Sequence, residues 1–155
     1  MKTLEDIKKD GWESGINQIW HGDCLDFMKL IPDKSIDLVV TDQPYGIGED
    51  IRKADKSGRT NFNDERWDLE IPRKEYFNEI LRISINQIIW GGNYFIEQGL
   101  KNSRCWLSWD KIQEFSGADM ELAWTSFSKS SKVFRMSRIE FHGQEYKWHP
   151  TQKPA

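Results

Sequence analysis

Between Ser35 and Gly48 the chain reads SIDLVVTDQPYGIG, and no other stretch restricts the fold as much. Residues 36–40 are apolar apart from Asp37 and rich in β-branched side chains, the pattern of a buried strand. The run stops abruptly at a carboxylate, a proline, a tyrosine and two glycines. A strand that is apolar on both faces belongs in a parallel sheet covered by helices, and open α/β sheets place their ligands beyond the carboxyl ends of the strands. The expectation is a buried parallel strand that delivers a polar-aromatic loop, Asp42 to Tyr45, from its end.

The rest of the chain supplies partners for such a strand. Residues 4–14 are charged and weakly patterned, a frayed helical turn or a leader. Residues 16–20 read as a short strand, and residues 24–30 as a short helix with Leu25, Met28 and Ile31 inward. Asp23 stands at the N-cap position of that helix, and its place after a strand leaves room for a second role at a nucleotide site. Residues 32–35 form a turn. Residues 47–66, charged and carrying Gly58, Asn61 and Asn63, read as a long mobile loop. Residues 72–83 give the clearest helix, with Pro72 at its first position and Tyr76, Phe77, Ile80, Leu81 and Ile83 on its apolar face. A second buried strand, 85–90, ends at Gly91-Gly92-Asn93, and a short helix over 94–100 follows with Asn93 as its cap. Residues 105–109 form a third apolar strand, closed by Asp110. Residues 118–127 fit helix or strand equally, and 132–139 fit a strand. Strands alternating with short helices define an α/β fold, parallel-rich, with helices on both faces of the sheet.

Composition narrows the class. The chain has 155 residues, enough for one domain with a single core. A 13% aromatic content with eight tryptophans excludes a disordered chain. No apolar run reaches membrane-spanning length. Cys24 and Cys105 are far apart, without metal-ligand spacing, and read as buried thiols of a cytosolic protein. The formal net charge is −3, yet the basic side chains gather late: Lys129, Lys132, Arg135 and Arg138 recur every third residue with no acid among them. That run suits phosphate contacts, and equally a charged edge strand that resists aggregation. Arg52 and Lys53 in the 47–66 loop are a second candidate for nucleic acid. His21, His142 and His149 lack ligand spacing, and no Gly-x-Ser-x-Gly elbow occurs, which argues against hydrolase chemistry.

Asp42-Gln43-Pro44-Tyr45 is one residue from Asp-Pro-Pro-Tyr. With Gly22-Asp23, Trp90-Gly91-Gly92-Asn93 and His149-Pro150-Thr151-Gln152-Lys153-Pro154, in that order, it resembles the β-class amino-group DNA methyltransferases. The resemblance runs from about residue 16 to the end. It implies an incomplete Rossmann-like sheet that uses S-adenosylmethionine. It also implies an adenine-specific enzyme that everts its base from DNA, without a metal. By the resemblance Asp42 holds the target amine, the Gln43 carbonyl takes the second amine hydrogen, Pro44 shapes the turn, and Tyr45 stacks on the base. Asp23, Thr151, Gln152 and Lys153 fall on the cofactor side.

On this reading residues 1–155 are one partial domain. It comprises a leader (1–15), a catalytic half (16–128), a region placed for DNA contact (129–148) and the start of the cofactor-side segment (149–155). Two departures qualify the resemblance. Gln43 replaces the family's first proline, which removes a φ-fixing ring and adds an N–H. The family's glycine-rich cofactor loop has no counterpart within 1–155. In the family two strands lie between those ending at Asp23 and Asp42, so the neighbouring edge is expected to pair with a second copy or a complementing chain. The competing reading is a catalytically silent remnant that binds nucleic acid or a partner. Methylation of cytosine, RNA or a protein amide is a further alternative.

Overall fold

The structure, a computed structural model, describes residues 1–47, 68–112 and 118–137. It is a mixed α/β arrangement around a five-stranded sheet. The strands are β1 (Ile36–Asp42), β2 (Ser84–Trp90), β3 (Trp106–Asp110), β4 (Met120–Thr125) and β5 (Lys132–Arg135). Their order in the sheet is β1-β2-β4-β3-β5. β1 pairs parallel with β2, and β3 parallel with β5; β4 runs antiparallel to both β2 and β3. Four strands therefore share one direction and β4 alone is reversed. Asp42, Trp90, Asp110 and Arg135 end their strands at the same end of the sheet.

Among the described residues three α-helices accompany the sheet: α1 (Leu4–Asp10), α2 (Cys24–Met28) and α3 (Lys74–Ile83). α1 is a formed helix, opened by a capping box in which Thr3 and Asp6 satisfy each other's backbone N–H groups. α3 turns Phe77, Ile80 and Ile83 inward, as its periodicity predicts, against Leu25 and Met28 of α2 and against Ile89 and Trp124 of the sheet. Each such side chain contributes on the order of 2 kcal/mol through the apolar surface it removes from water. Arg82 fastens the underside of this layer. Its guanidinium donates to the carbonyls of Met28 and Ile31, at 2.8 and 2.9 Å, and pairs with Asp33 and Glu79. The bonds to Glu79, the largest cause, and to Asp33 hold its pKa well above the usual arginine range.

Several expectations need correction. Residues 16–20 form no strand: a 3-10 turn over Trp12–Gly15 precedes them, and Trp20 makes only a single bridge to Lys2. The Trp20 indole N–H donates to the Gly15 carbonyl at 2.7 Å, which folds this stretch back on itself. Residues 94–100 form two 3-10 turns, Gly92–Tyr94 and Ile96–Gln98, instead of one helix. The first is entered through Gly91 at φ +66°, so Asn93 is not a cap. Cys24 is exposed, while Cys105 is buried as expected.

The largest difference concerns β1. It is parallel to β2 and, among the described residues, stands at the edge of the sheet, as the two absent family strands imply, but none of its residues is buried, contrary to the expectation of a buried strand. By strand alternation Leu38 and Val40 face the side opposite α3, and they are 41% and 58% exposed. Among the described residues, α2 and α3 cover one face of the sheet only. On the other face Trp90, Trp109 and Ala123 form a second cluster with Leu107, Phe134 and Met136.

Asp23 caps α2 as its position predicts. Its Oδ1 accepts from the Leu25 N–H at 2.9 Å, and its Oδ2 accepts from the Tyr76 hydroxyl at 2.9 Å. Both bonds favour the ionised acid, so its pKa lies below the ordinary aspartate value of 3.8, with the Leu25 N–H the larger cause. A depressed folded-state pKa gives stability that is full above the unfolded value and lost as pH falls through the folded one. Asp23→Ala should therefore cost about 1 kcal/mol near neutral pH and progressively less as pH falls below the ordinary aspartate value of 3.8. Urea midpoints of the two proteins across that range provide the check.

Candidate functional site

β1 carries Asp42 to the carboxyl end of the sheet, where the chain turns through Gln43, Pro44, Tyr45 and Gly46. Asp42 is exposed, and its Oδ1 accepts a hydrogen bond from the Tyr45 hydroxyl at 2.7 Å. Gln43 is half-buried, and its amide donates to the Thr41 hydroxyl at 3.0 Å. Gly46 adopts φ +70°, the left-handed conformation that lets the chain leave the turn without a Cβ penalty.

The turn is held from a distance by Asp68, which is buried. Its Oδ1 accepts from the Tyr45 N–H at 2.6 Å and from the Gly46 N–H at 2.9 Å. One carboxylate thus satisfies two consecutive backbone donors of the loop.

Tyr45 is half-buried, and its surroundings come from the turn after β2. Its ring stacks on Tyr94 with centroids 5.0 Å apart and planes inclined by 15°, and it leans on Phe95 at 6.1 Å. Gly91 lies so close that a Cβ there would fall 2.1 Å from Tyr45 Cε1. Burial, and next the bond to Asp42, push the Tyr45 hydroxyl far above the ordinary phenol range, so it remains a donor. Glu121, on β4, adds to that shift. Glu121 in turn pairs with Lys111 at 2.7 Å, and the Lys111 ammonium sits 5.5 Å from the centre of the Trp109 ring. The site end of the sheet therefore gathers the Asp42, Asp68 and Glu121 carboxylates, the Lys111 ammonium and stacked aromatic rings, with Tyr94 outermost at 42% exposed.

Asp23 lies at this same end. β1 and β2 run in parallel, so α3 between them runs the opposite way and its first turn returns to the carboxyl ends. Tyr76 in that turn donates to Asp23. The structure thus brings Asp23 and the Asp42–Tyr45 loop to one end of the sheet.

The basic run does not stay together. Lys129 and Lys132 lie at the end of the sheet opposite Asp42, where β5 begins, whereas Arg135 lies at the Asp42 end and pairs with Asp110 at 3.0 Å. Arg138, Arg52, Lys53, Thr151, Gln152 and Lys153, and nearly all of the 47–66 loop, lie outside the described residues.

Sequence reasoning missed Asp68, Tyr94, Lys111 and Glu121. Only Tyr94 had a local signal, since it lies two residues after the Gly91-Gly92 pair. Among the described residues no group of three or more His, Cys, Asp or Glu side chains can hold a metal. Nor, among those residues, is any helix long and apolar enough to cross a membrane. No protein-family model matches the chain.

Proposed function

We propose that the chain is the catalytic half of an amino-group DNA methyltransferase, with a sheet of the incomplete Rossmann-like kind and adenine as the target base. The observation that carries this reading is an exposed carboxylate, Asp42, at the carboxyl end of a parallel strand, oriented by the Tyr45 hydroxyl beside an exposed aromatic ring. An exocyclic amine is a weak nucleophile because its lone pair is delocalised into the ring. A site that activates it must accept both amine hydrogens as the nitrogen becomes tetrahedral. A carboxylate offers about four lone-pair positions, so Asp42 can accept an amine hydrogen while it still receives the Tyr45 proton. The Gln43 carbonyl would take the second hydrogen. Tyr45 is already stacked, so a base approaching Asp42 would meet Tyr94 first, and the two tyrosines would share the platform role.

S-adenosylmethionine would supply the methyl group. The described residues do not form its cradle: of the four positions assigned to it, Asp23 alone is described, and both of its oxygens accept bonds from within the chain. The mechanism is therefore confined to the acceptor side. The edge of β1, unpaired among the described residues, favours a second reading, a silent remnant that binds nucleic acid or a partner chain.

Methyl transfer to DNA containing unmodified adenines tests the first reading. Asp42→Asn should lower the rate on the order of a hundredfold, while Gln43→Pro should preserve or raise it, since position 43 acts through its backbone carbonyl. A large loss in Gln43→Pro would refute that backbone role. Calorimetry bears on the choice, since absence of S-adenosylmethionine binding at millimolar concentration favours the remnant.

A further inference from the structure

At the end of the sheet away from Asp42 lies a cavity of about 430 Å³ that the methyl-transfer reading does not use. It opens between the turn before β1, the loop that leads into β3 and the loop that leaves β4. Lys34, Lys101 and Arg104 line it, and among the described residues lining it none is acidic. No carboxylate of the described residues pairs with any of these three cations.

The floor is built. Buried Gln87 donates its side-chain amide to the Ser84 carbonyl and hydroxyl, at 3.0 and 2.9 Å. Its backbone N–H donates to the Ser126 hydroxyl at 2.9 Å. The indole of Trp124 is fixed by its bond to the Lys101 carbonyl at 2.8 Å. Lys34 is fixed too: its ammonium donates to the carbonyls of Leu81 and Ser84, at 2.6 and 2.9 Å. Those bonds occupy two of its three hydrogens and neutralise none of its charge.

Three unneutralised cations, serine hydroxyls and an indole around a few hundred cubic ångströms suit an oxyanion of nucleotide size. Lys129 and Lys132 stand at the same end, beyond the rim, and extend the positive surface. We propose that this groove binds a phosphate group, carried either by a mononucleotide or by the backbone of a nucleic acid. The proposal does not rest on the methyl-transfer reading, because Asp42 and its loop lie at the other end of the strands.

The experiment titrates the full chain at low ionic strength with inorganic phosphate, deoxyadenosine monophosphate and a short oligothymidylate. Lys101→Glu/Arg104→Glu is compared with the parent, both residues being exposed, and Arg104→Ala serves if the double variant fails to fold. Saturable binding that weakens at least tenfold in the double variant, or severalfold in Arg104→Ala, is the expected result. Tighter binding of the oligonucleotide with a steep salt dependence assigns the phosphate to a nucleic-acid backbone. Equal binding of the mononucleotide assigns it to a small ligand. Absence of saturable binding for all three probes, or affinity unchanged in the variant, overturns the proposal. Inorganic phosphate and oligothymidylate carry no adenine for Asp42 to hold, so failure of these two probes is distinguishable from failure of the methyl-transfer reading.

Discussion

Gly91→Ala should destabilise the protein by about 2–4 kcal/mol and dislodge the Tyr45 ring. Gly91 sits at φ +66°, where a side chain adds roughly 1–2 kcal/mol of backbone strain. The rest comes from the clash. The new methyl would lie 2.1 Å from Tyr45 Cε1, 2.6 Å from Cδ1 and 2.7 Å from Cζ, so the ring must move. Gly91 cannot move in its place, because its N–H donates to the Leu122 carbonyl at 2.8 Å and ties it to β4. Displacing the ring breaks the stack on Tyr94 and the bond to Asp42 together. Denaturant unfolding measures the loss. The same substitution in a Tyr45→Ala background should cost only the strain, about 1–2 kcal/mol. An equal cost in both backgrounds would show that the Tyr45 contact contributes nothing.

Asp68→Ala should cost a similar amount, about 2–4 kcal/mol, because it leaves two loop amides without their charged acceptor. The carboxylate is buried and takes the Tyr45 and Gly46 N–H groups on one oxygen. Asp68→Asn keeps an acceptor oxygen and loses the charge, so it should fall between alanine and the parent. Under the proposed function both variants also reduce methyl transfer, in the same order, since the turn they loosen carries Tyr45 and the position-43 carbonyl. Thermal or urea unfolding gives the first ranking and the transfer assay the second. A ranking with asparagine below alanine would contradict the hydrogen-bond account.

The sequence made the elements legible more readily than their neighbours. The α3 face, the cap at Asp23 and the strand that ends at Asp42 follow from periodicity and side-chain chemistry over a few residues. The exposure of β1 does not follow from its own residues, because an apolar run reads as buried on both sides whether or not both sides are covered. Leu38 and Val40 face outward among the described residues, although their residue types predict the interior. Residues 16–20 misled for a related reason: Ile16 and Ile19 look strand-like but are 57% and 72% exposed, and the Trp20–Gly15 bond governs the path. Asp68, Lys111 and Glu121 reach the site through chain reversals that no local pattern announces. Regular spacing likewise suggested one basic patch where the strand direction divides it between two ends of the sheet.

β1 presents a consequence of its own. Its backbone is zipped to β2 along one flank, and among the described residues no strand zips the other. Amide protons on that open flank should exchange sooner than those facing β2. Whatever strand lay down beside it would clamp the same peptide units that aim the Asp42 carboxylate. Occupancy of the flank and angular precision at the acid would then be two readings of one equilibrium, adjustable from outside without a touch on the loop itself.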